Sequence, residues 1–366
     1  MVPFPWGNAL MIGFGLALIY LGIEKKYEPL LLLPIGFGSI LVNIPFSGLM
    51  EPGGFIRVIY DAGISTDLFP VLIFLGIGAM SDFGPLLEKP WVVLLSVPAH
   101  LGIFITLFAA LQLGFTPIEA SSVGIIGAMD GPTAIFVTSR YAPNLLGPIT
   151  VAAYSYIAMV PILQIPLSKA LTTRRERLIR MKYRPEAQSK LQRVLLPIIV
   201  VLVTGVVAPQ GVPLMGSLML GNFLKESGVV ERLARASKNE IANVTTLLLG
   251  IAVGGTMQAE QFLEVQTLLI FALGLLAFVS ALTLGILAGK LAAFVTKRKI
   301  NPLIGATAIS AFPMASRVAH TIARQEDPDN WLLMHAMAAN TGGQIASVLA
   351  GSLILTYAPI LLGIPP

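Results

Sequence analysis

Long stretches of this chain carry no Asp, Glu, Lys or Arg: residues 1–23, 29–50, 90–118, 194–224, 241–259, 265–289 and 331–366 are each free of charge. Several of them reach the ~20 apolar residues that a helix needs to cross a bilayer. That feature predicts an all-α polytopic membrane protein. Only 12% of the 366 residues are charged, against about 25% in soluble domains, which excludes an ordinary soluble enzyme. Outer-membrane barrels alternate apolar and polar residues over ten-residue segments, and none of these runs does. With no cysteine, disulfides, zinc-thiolate centres and iron–sulfur clusters are also excluded. His100, His320 and His335 are too far apart in sequence to suggest a metal motif, and packing or interface roles suit His320 and His335 better.

The net charge of +5 does not point to nucleic acid, because the basic residues sit in loops between apolar segments. Cytoplasmic loops of membrane proteins carry such an excess. The apolar segments fall at 8–23, 29–45, 68–81, 90–114, 120–139 and 145–169, then 194–208, 212–224, 241–258, 265–289, 301–318 and 331–358. Residues 1–170 and 194–366 thus form two halves around a basic loop, 171–193. The amino terminus lacks the positive region of a signal peptide, so 8–23 reads as a retained helix with its amino end outside. The basic loop contains Arg174, Arg175, Arg177, Arg180, Lys182, Arg184 and Lys190 against Glu176 and Glu186. It is expected on the cytoplasmic side of a plasma (inner) membrane.

The halves resemble each other. Leu75-Gly76-Ile77 recurs as Leu249-Gly250-Ile251, and the spacing of Gly124, Pro132 and Ala134 recurs in Gly305, Pro313 and Ala315. With Lys25-Lys26 and the basic loop both inside, an even number of crossings must separate them, yet five segments lie between. Segment 120–139, interrupted by Asp130-Gly131-Pro132, is the one expected to enter and leave by the same face. The expectation is therefore two inverted structural repeats, whose discontinuous or re-entrant helices, 120–139 and 301–318, meet near the bilayer midplane.

A carboxylate at membrane depth costs roughly 2.5–3.5 kcal/mol on insertion scales and by default marks an ion or proton pathway. Asp130 is such a residue, and the Gly-Pro after it breaks the helix, freeing carbonyls and helix ends for a cation. In the partner segment, Asn301 and Ser310 supply the neutral oxygens that suit sodium better than a dication. Arg317 is either a clamp for a substrate carboxylate or a positive-inside anchor. Asn340 precedes residues 341–343, Thr-Gly-Gly, in an uncharged run and is a further ligand candidate or an interhelical hydrogen-bonding residue. Tyr154 and Tyr156 fit interfacial anchoring or function. Asp82 reads as a cap or turn. No Walker A sequence is present, which excludes a nucleotide-driven pump of that kind.

Seven strings carry a family resemblance: EPLLLLPIGFG (28–38), GIIGAMDGPTAI (124–135), AAYSYIAMVP (152–161), KALTTRRERLIRM (169–181), GNFLKESGVVERL (221–233), NPLIG (301–305) and HAMAAN (335–340). Together they resemble the β subunit of sodium-translocating, biotin-dependent decarboxylases. The resemblance implies a membrane subunit that decarboxylates carboxybiotin, exports sodium and consumes an external proton. It places the essential aspartate on Asp130, the proton-relay tyrosine on Tyr156, sodium-site residues on Asn301, Ser310 and Asn340, and a glycine and an arginine of the second broken segment on Gly305 and Arg317. Sodium and a carboxybiotin carried on a separate subunit are the implied cofactors, with Arg317 nearest the carboxybiotin. The implied partners are a carboxyltransferase α subunit, a biotin carrier protein, a small γ or δ membrane subunit and further β copies in a trimer. The short stretch between 45 and 68 departs from oxaloacetate-specific members, which carry an insertion there, and favours methylmalonyl-CoA or a related acyl-CoA. A secondary sodium/proton antiporter or sodium-coupled anion carrier fits the residue pattern taken without the resemblance.

Overall fold

The computed structural model describes residues 5–183 and 188–362, so Arg184 and Glu186 of the basic loop lie outside the described residues. Every regular element among the described residues is helical. The first half runs through α1 (Trp6–Glu24), α2 (Pro29–Val42), α3 (Phe55–Gly63), α4 (Leu68–Met80), α5 (Gly84–Glu88) and α6 (Ser96–Gln112). It continues with α7 (Pro117–Gly124), α8 (Gly131–Tyr141), α9 (Leu146–Ala158) and α10 (Val160–Leu171). After α11 (Arg174–Arg177) in the basic loop, the second half has α12 (Lys190–Val207), α13 (Val212–Ser227), α14 (Glu231–Ala236), α15 (Ala242–Gly255) and α16 (Ala259–Phe262). It ends with α17 (Val265–Val295), α18 (Met314–Glu326) and α19 (Leu333–Leu362). Among the described residues, five helical stretches are long and apolar enough to cross a membrane, or up to seven if each of two bent pairs counts as one span.

The halves interlock. α2 packs on α15 and α4 packs on α13, while α1 and α12 flank α2 and α13 and α6 crosses α17. Between transmembrane helices there is little hydrophobic gain, so close approach of small residues supplies the attraction. A Cβ on Gly78 would lie 1.8 Å from the carbonyl oxygen of Leu218, and one on Gly221 would lie 2.0 Å from that of Leu75. The α4–α13 crossing therefore tolerates no side chain at either position.

Two helices differ from what hydropathy shows. α3 lies in the stretch 45–68, which has no apolar segment by composition. It is amphipathic, with Ile56 fully buried against Gly255 and an exposed Arg57–Asp61 pair at 2.9 Å. α18 runs on to Glu326, beyond the expected end at 318, because its apolar residues Val318, Ala319, Ile322 and Ala323 face inward while Arg317, Thr321 and Arg324 stay exposed. Segment 145–169 is bent by 60° between α9 and α10, where Met159 and the Pro161 beyond it interrupt the backbone bonding.

α19 orders the interior. Near its start the Ala336 carbonyl accepts from Thr307 at 3.0 Å, and further along the Ile354 carbonyl accepts from the Tyr141 hydroxyl at 3.2 Å. At 1.5 Å per residue these points lie about 27 Å apart, close to the hydrocarbon thickness of a bilayer of about 30 Å. The segment from Asn301 to Asn330 begins and ends at the Ala336 end of α19. Both of its terminal amides donate to the same two carbonyls, those of Arg177 and Ile179: Asn301 at 2.9 Å to each, Asn330 at 3.0 and 3.3 Å. The segment from α7 to α8 begins and ends at the other end. Pro117 and Ser121 share an apolar groove with Ile354 and Tyr357, and Tyr141 bonds the Ile354 and Leu355 carbonyls.

The basic loop is held across the Ala336 end. Arg177 and Arg174 pair with Glu326 at 2.8 and 3.2 Å, and Arg180 pairs with Asp327 at 2.5 Å. Met181 accepts from His335 at 3.2 Å if that ring nitrogen carries the proton. The guanidinium groups hold the Glu326 and Asp327 carboxyls below the usual carboxylate range.

Candidate functional site

Asp130 sits where the first broken segment changes direction. α7 ends at Gly124, a 3-10 turn covers Ile125–Ala128, and Met129 adopts a left-handed φ of 56°. Gly131 and Pro132 then open α8, positions where a missing N–H and a fixed φ cost nothing. Asp130 is the N-cap of α8, and its Oδ1 accepts from the Thr133 amide at 3.4 Å. A carboxylate there also benefits from the positive end of the helix dipole.

Its other oxygen joins the two halves. Asp130 Oδ2 accepts from Ser310 Oγ at 3.2 Å and from Ser347 Oγ at 2.7 Å. Ser310 lies in the non-helical stretch between the 3-10 turn Pro302–Thr307 and α18, and Ser347 lies on α19. The Asp130 side belongs to a residue only 6% exposed, and among the described residues no basic side chain pairs with it. Two hydroxyls and an amide do not offset the desolvation of a full charge. A monovalent cation or a proton would balance a carboxylate so placed, and its hydrogen-bonding neighbours are all neutral. Among the described residues no group of three or more His, Asp or Glu is disposed to hold a metal.

Asn340 holds the second break in place. Its Nδ2 donates to the Ile309 carbonyl at 2.6 Å, and its Oδ1 accepts from Ser316 at 3.2 Å. One amide thereby fixes both sides of the stretch that carries Ser310. A Cβ on Gly343 would lie 2.5 Å from the Ile309 carbonyl oxygen, so the same stretch lies directly on the α19 backbone. A cavity of about 460 Å³ reaches Asp130 and Ser310. Its walls are largely apolar, with Leu31, Phe74, Ile77 and Met129 among them, and its other polar lining residues include Tyr154, Gln344, Glu28 and Lys238.

The remaining expected residues lie elsewhere. Asn301 caps the 3-10 turn at Leu303 while its Nδ2 is spent on the Arg177 and Ile179 carbonyls, so it joins this segment to the basic loop rather than to Asp130. Gly305 is a contact glycine: a Cβ there would lie 2.0 Å from the Gly285 carbonyl oxygen on α17. Arg317 is exposed on α18, makes no ion pair among the described residues and does not line the cavity. The Tyr156 hydroxyl donates to the Phe271 carbonyl at 2.5 Å, whereas Tyr154 lines the cavity and packs its ring where a Gly131 side chain would be. Asp82 closes a turn by accepting from the Gly84 amide at 2.9 Å.

Ser347, Gln344 and Thr133 were not singled out from sequence. The signal was the spacing Asn340, Gln344, Ser347 and Gly351, which puts three polar residues and a glycine on one face of α19.

Comparison with known proteins gives a consistent result. Residues 7–358 match the family described as the Na+-transporting oxaloacetate decarboxylase beta subunit. The glutaconyl-CoA decarboxylase subunit beta of Acidaminococcus fermentans is 45% identical, over 97% of this chain and 94% of that one. The methylmalonyl-CoA decarboxylase subunit beta of Propionigenium modestum is 44% identical, over 96% and 94% of the two chains. The oxaloacetate decarboxylase beta chain of Klebsiella pneumoniae is 40% identical, over 96% and 95%.

Proposed function

From the premise that this chain belongs to the sodium-transporting decarboxylase β-subunit family, we propose that it is the membrane engine of a primary sodium pump driven by decarboxylation of carboxybiotin. The observation that carries this reading is the unpaired, buried Asp130, held by hydroxyls from two separate segments. Sodium enters from the cytoplasmic side and binds at Asp130, Ser310 and Ser347, with Asn340 holding the Ser310 stretch in register. Asn301 and Gly305 act on the same segment from its other end, through the basic loop and through α17. The arrangement of both broken segments along α19, one returning to each of its ends, supports inverted repeats and re-entrant entry from opposite faces. It also supports a cytoplasmic position for the basic loop 171–193, in the plasma membrane.

Carboxybiotin, presented by a biotin carrier protein after loading by the carboxyltransferase α subunit, docks on the cytoplasmic side with its carboxylate toward Arg317. An exposed guanidinium without an ion-pair partner among the described residues suits that task. On decarboxylation the N–C bond breaks, carbon dioxide leaves and the biotin nitrogen takes up a proton. Delivery of that external proton is assigned to Tyr156, and Tyr154, on the cavity wall, is the second hydroxyl able to serve. A small γ or δ membrane subunit and a β trimer complete the assembly.

The alignment lengths favour an acyl-CoA as the carboxyl donor. The match to the glutaconyl-CoA relative spans 354 positions, whereas that to the oxaloacetate relative spans 412 for a similar share of this chain. The oxaloacetate chain therefore carries tens of residues that this one lacks. Asp130→Asn tests the site: sodium-dependent decarboxylation is expected to vanish in a complex that still assembles. Retained sodium-coupled turnover in that variant would refute the assignment.

A further inference from the structure

Glu28 is a half-buried carboxylate that the mechanism above does not use. It is the N-cap residue of α2, with a left-handed backbone (φ 35°, ψ 58°) directly before Pro29, a position ordinarily held to extended conformations. Its side chain makes no cap bond, and among the described residues its carboxylate has no hydrogen bond or ion pair, while its backbone carbonyl accepts from the Leu31 and Leu32 amides at 3.0 Å each. Yet it lines the same cavity as Asp130 and Ser310. Lys238 lines that cavity too, from the π-turn Ser237–Ile241 that joins α14 to α15. The π-turn lies on α4, where a Cβ on Gly76 would be 2.9 Å from the Ser237 carbonyl oxygen. π-turns inside helices are frequent at functional sites. No ion pair links Glu28 to Lys238, so neither charge cancels the other by contact.

Between these residues and Asp130 the walls are mainly Leu31, Ile73, Phe74, Ile77, Met80 and Met129. Low-dielectric walls concentrate the field of a charge along the open path. Glu28 follows Lys25 and Lys26 closely, and Lys238 follows Arg232 and Arg235; both therefore belong to the basic, cytoplasmic face under the proposed topology.

We propose that Glu28 is a capture site for a monovalent cation at the cavity mouth, drawing sodium toward Asp130, and that Lys238 opposes the capture and limits its strength. This rests on the reading of Asp130 as the sodium site. A carboxylate at the mouth raises the local cation concentration, so its removal acts on the sodium concentration required rather than on the chemical step.

The test is the rate of decarboxylation by the purified complex against sodium concentration at constant ionic strength. Glu28→Gln is expected to raise the half-saturating sodium concentration about five- to tenfold, with the maximal rate falling less than twofold. Lys238→Gln is expected to lower it about two- to fivefold. Glu28→Asp, which retains the charge if the neutral variant fails to fold, should fall between wild type and Glu28→Gln. Raising ionic strength with choline chloride should narrow all these differences, since charge capture is screened. Unchanged half-saturation in both neutral variants overturns the proposal, and so does a loss confined to the maximal rate. Wild-type turnover that ignores sodium contradicts the functional reading instead, whereas sodium-dependent wild type with Glu28→Gln indistinguishable from it removes only the capture site.

Discussion

Ser347→Ala removes the shorter of the two hydroxyl contacts to Asp130, 2.7 Å against 3.2 Å from Ser310. A hydrogen bond to a charged group is worth about 1.5–3 kcal/mol. Part of this is recovered without sodium, because the Ser347 hydroxyl also reaches the Gln344 carbonyl of its own helix at 2.9 Å. Taking the lower end of the range, about 1.5 kcal/mol, the cost is about tenfold in an equilibrium constant, since each 1.4 kcal/mol or so is a factor of ten. Ser347→Ala is thus expected to raise half-saturating sodium about tenfold, and Ser310→Ala, at the longer distance, less. Thermal unfolding of the purified subunit should change little, since alanine is a better helix former than serine. The assay is carbon dioxide release by the assembled complex across a sodium titration. A Ser347→Ala shift under twofold, with unfolding unchanged, would refute the reasoning that this hydroxyl belongs to the sodium site.

Two further outcomes follow from the packing and the loop. Gly305→Val puts a branched side chain where even a Cβ lies 2.0 Å from the Gly285 carbonyl oxygen; overpacking costs about 1–3 kcal/mol or more, so the amount of folded subunit in detergent extracts should drop sharply, and normal yield would contradict a tight α17 contact. The folded-state carboxyl of Glu326 is depressed by Arg177 and Arg174, so its stabilisation is fully present above the ordinary carboxylate range and is lost as pH falls through the folded-state value. Between pH 7 and about pH 3, a window that extends below the ordinary carboxylate value, wild type should therefore lose more thermal stability than Glu326→Gln, and equal losses would contradict a working clamp.

Much of the architecture was legible because charge-free runs and basic loops are physically forced by the bilayer. Asp130 was legible for the same reason, since one carboxylate in an apolar segment beside Gly-Pro has few innocent explanations. α3 was hidden because its apolar residues occupy one face of a short amphipathic helix, and the far turns of α18 were hidden by Arg317, Thr321 and Arg324. The arginines of the basic loop read as a topological anchor, while their partners Glu326 and Asp327 lie about 150 residues away. Asn301 illustrates the limit: its residue type suits a cation, but its side chain is committed to the Arg177 and Ile179 carbonyls. Ser347 lacked any local mark beyond helical spacing, because a serine in an uncharged run is unremarkable until a distant carboxylate is brought to it.

Sodium uptake into proteoliposomes containing the co-purified complex, driven only by the carboxyl donor with ionophores collapsing voltage and pH gradients, is the most direct measurement. Radioactive sodium should accumulate and the accumulation should stop when avidin sequesters biotin. Sodium that moves only under an imposed pH gradient, with no effect of donor or avidin, would contradict the pump and leave a secondary carrier in its place.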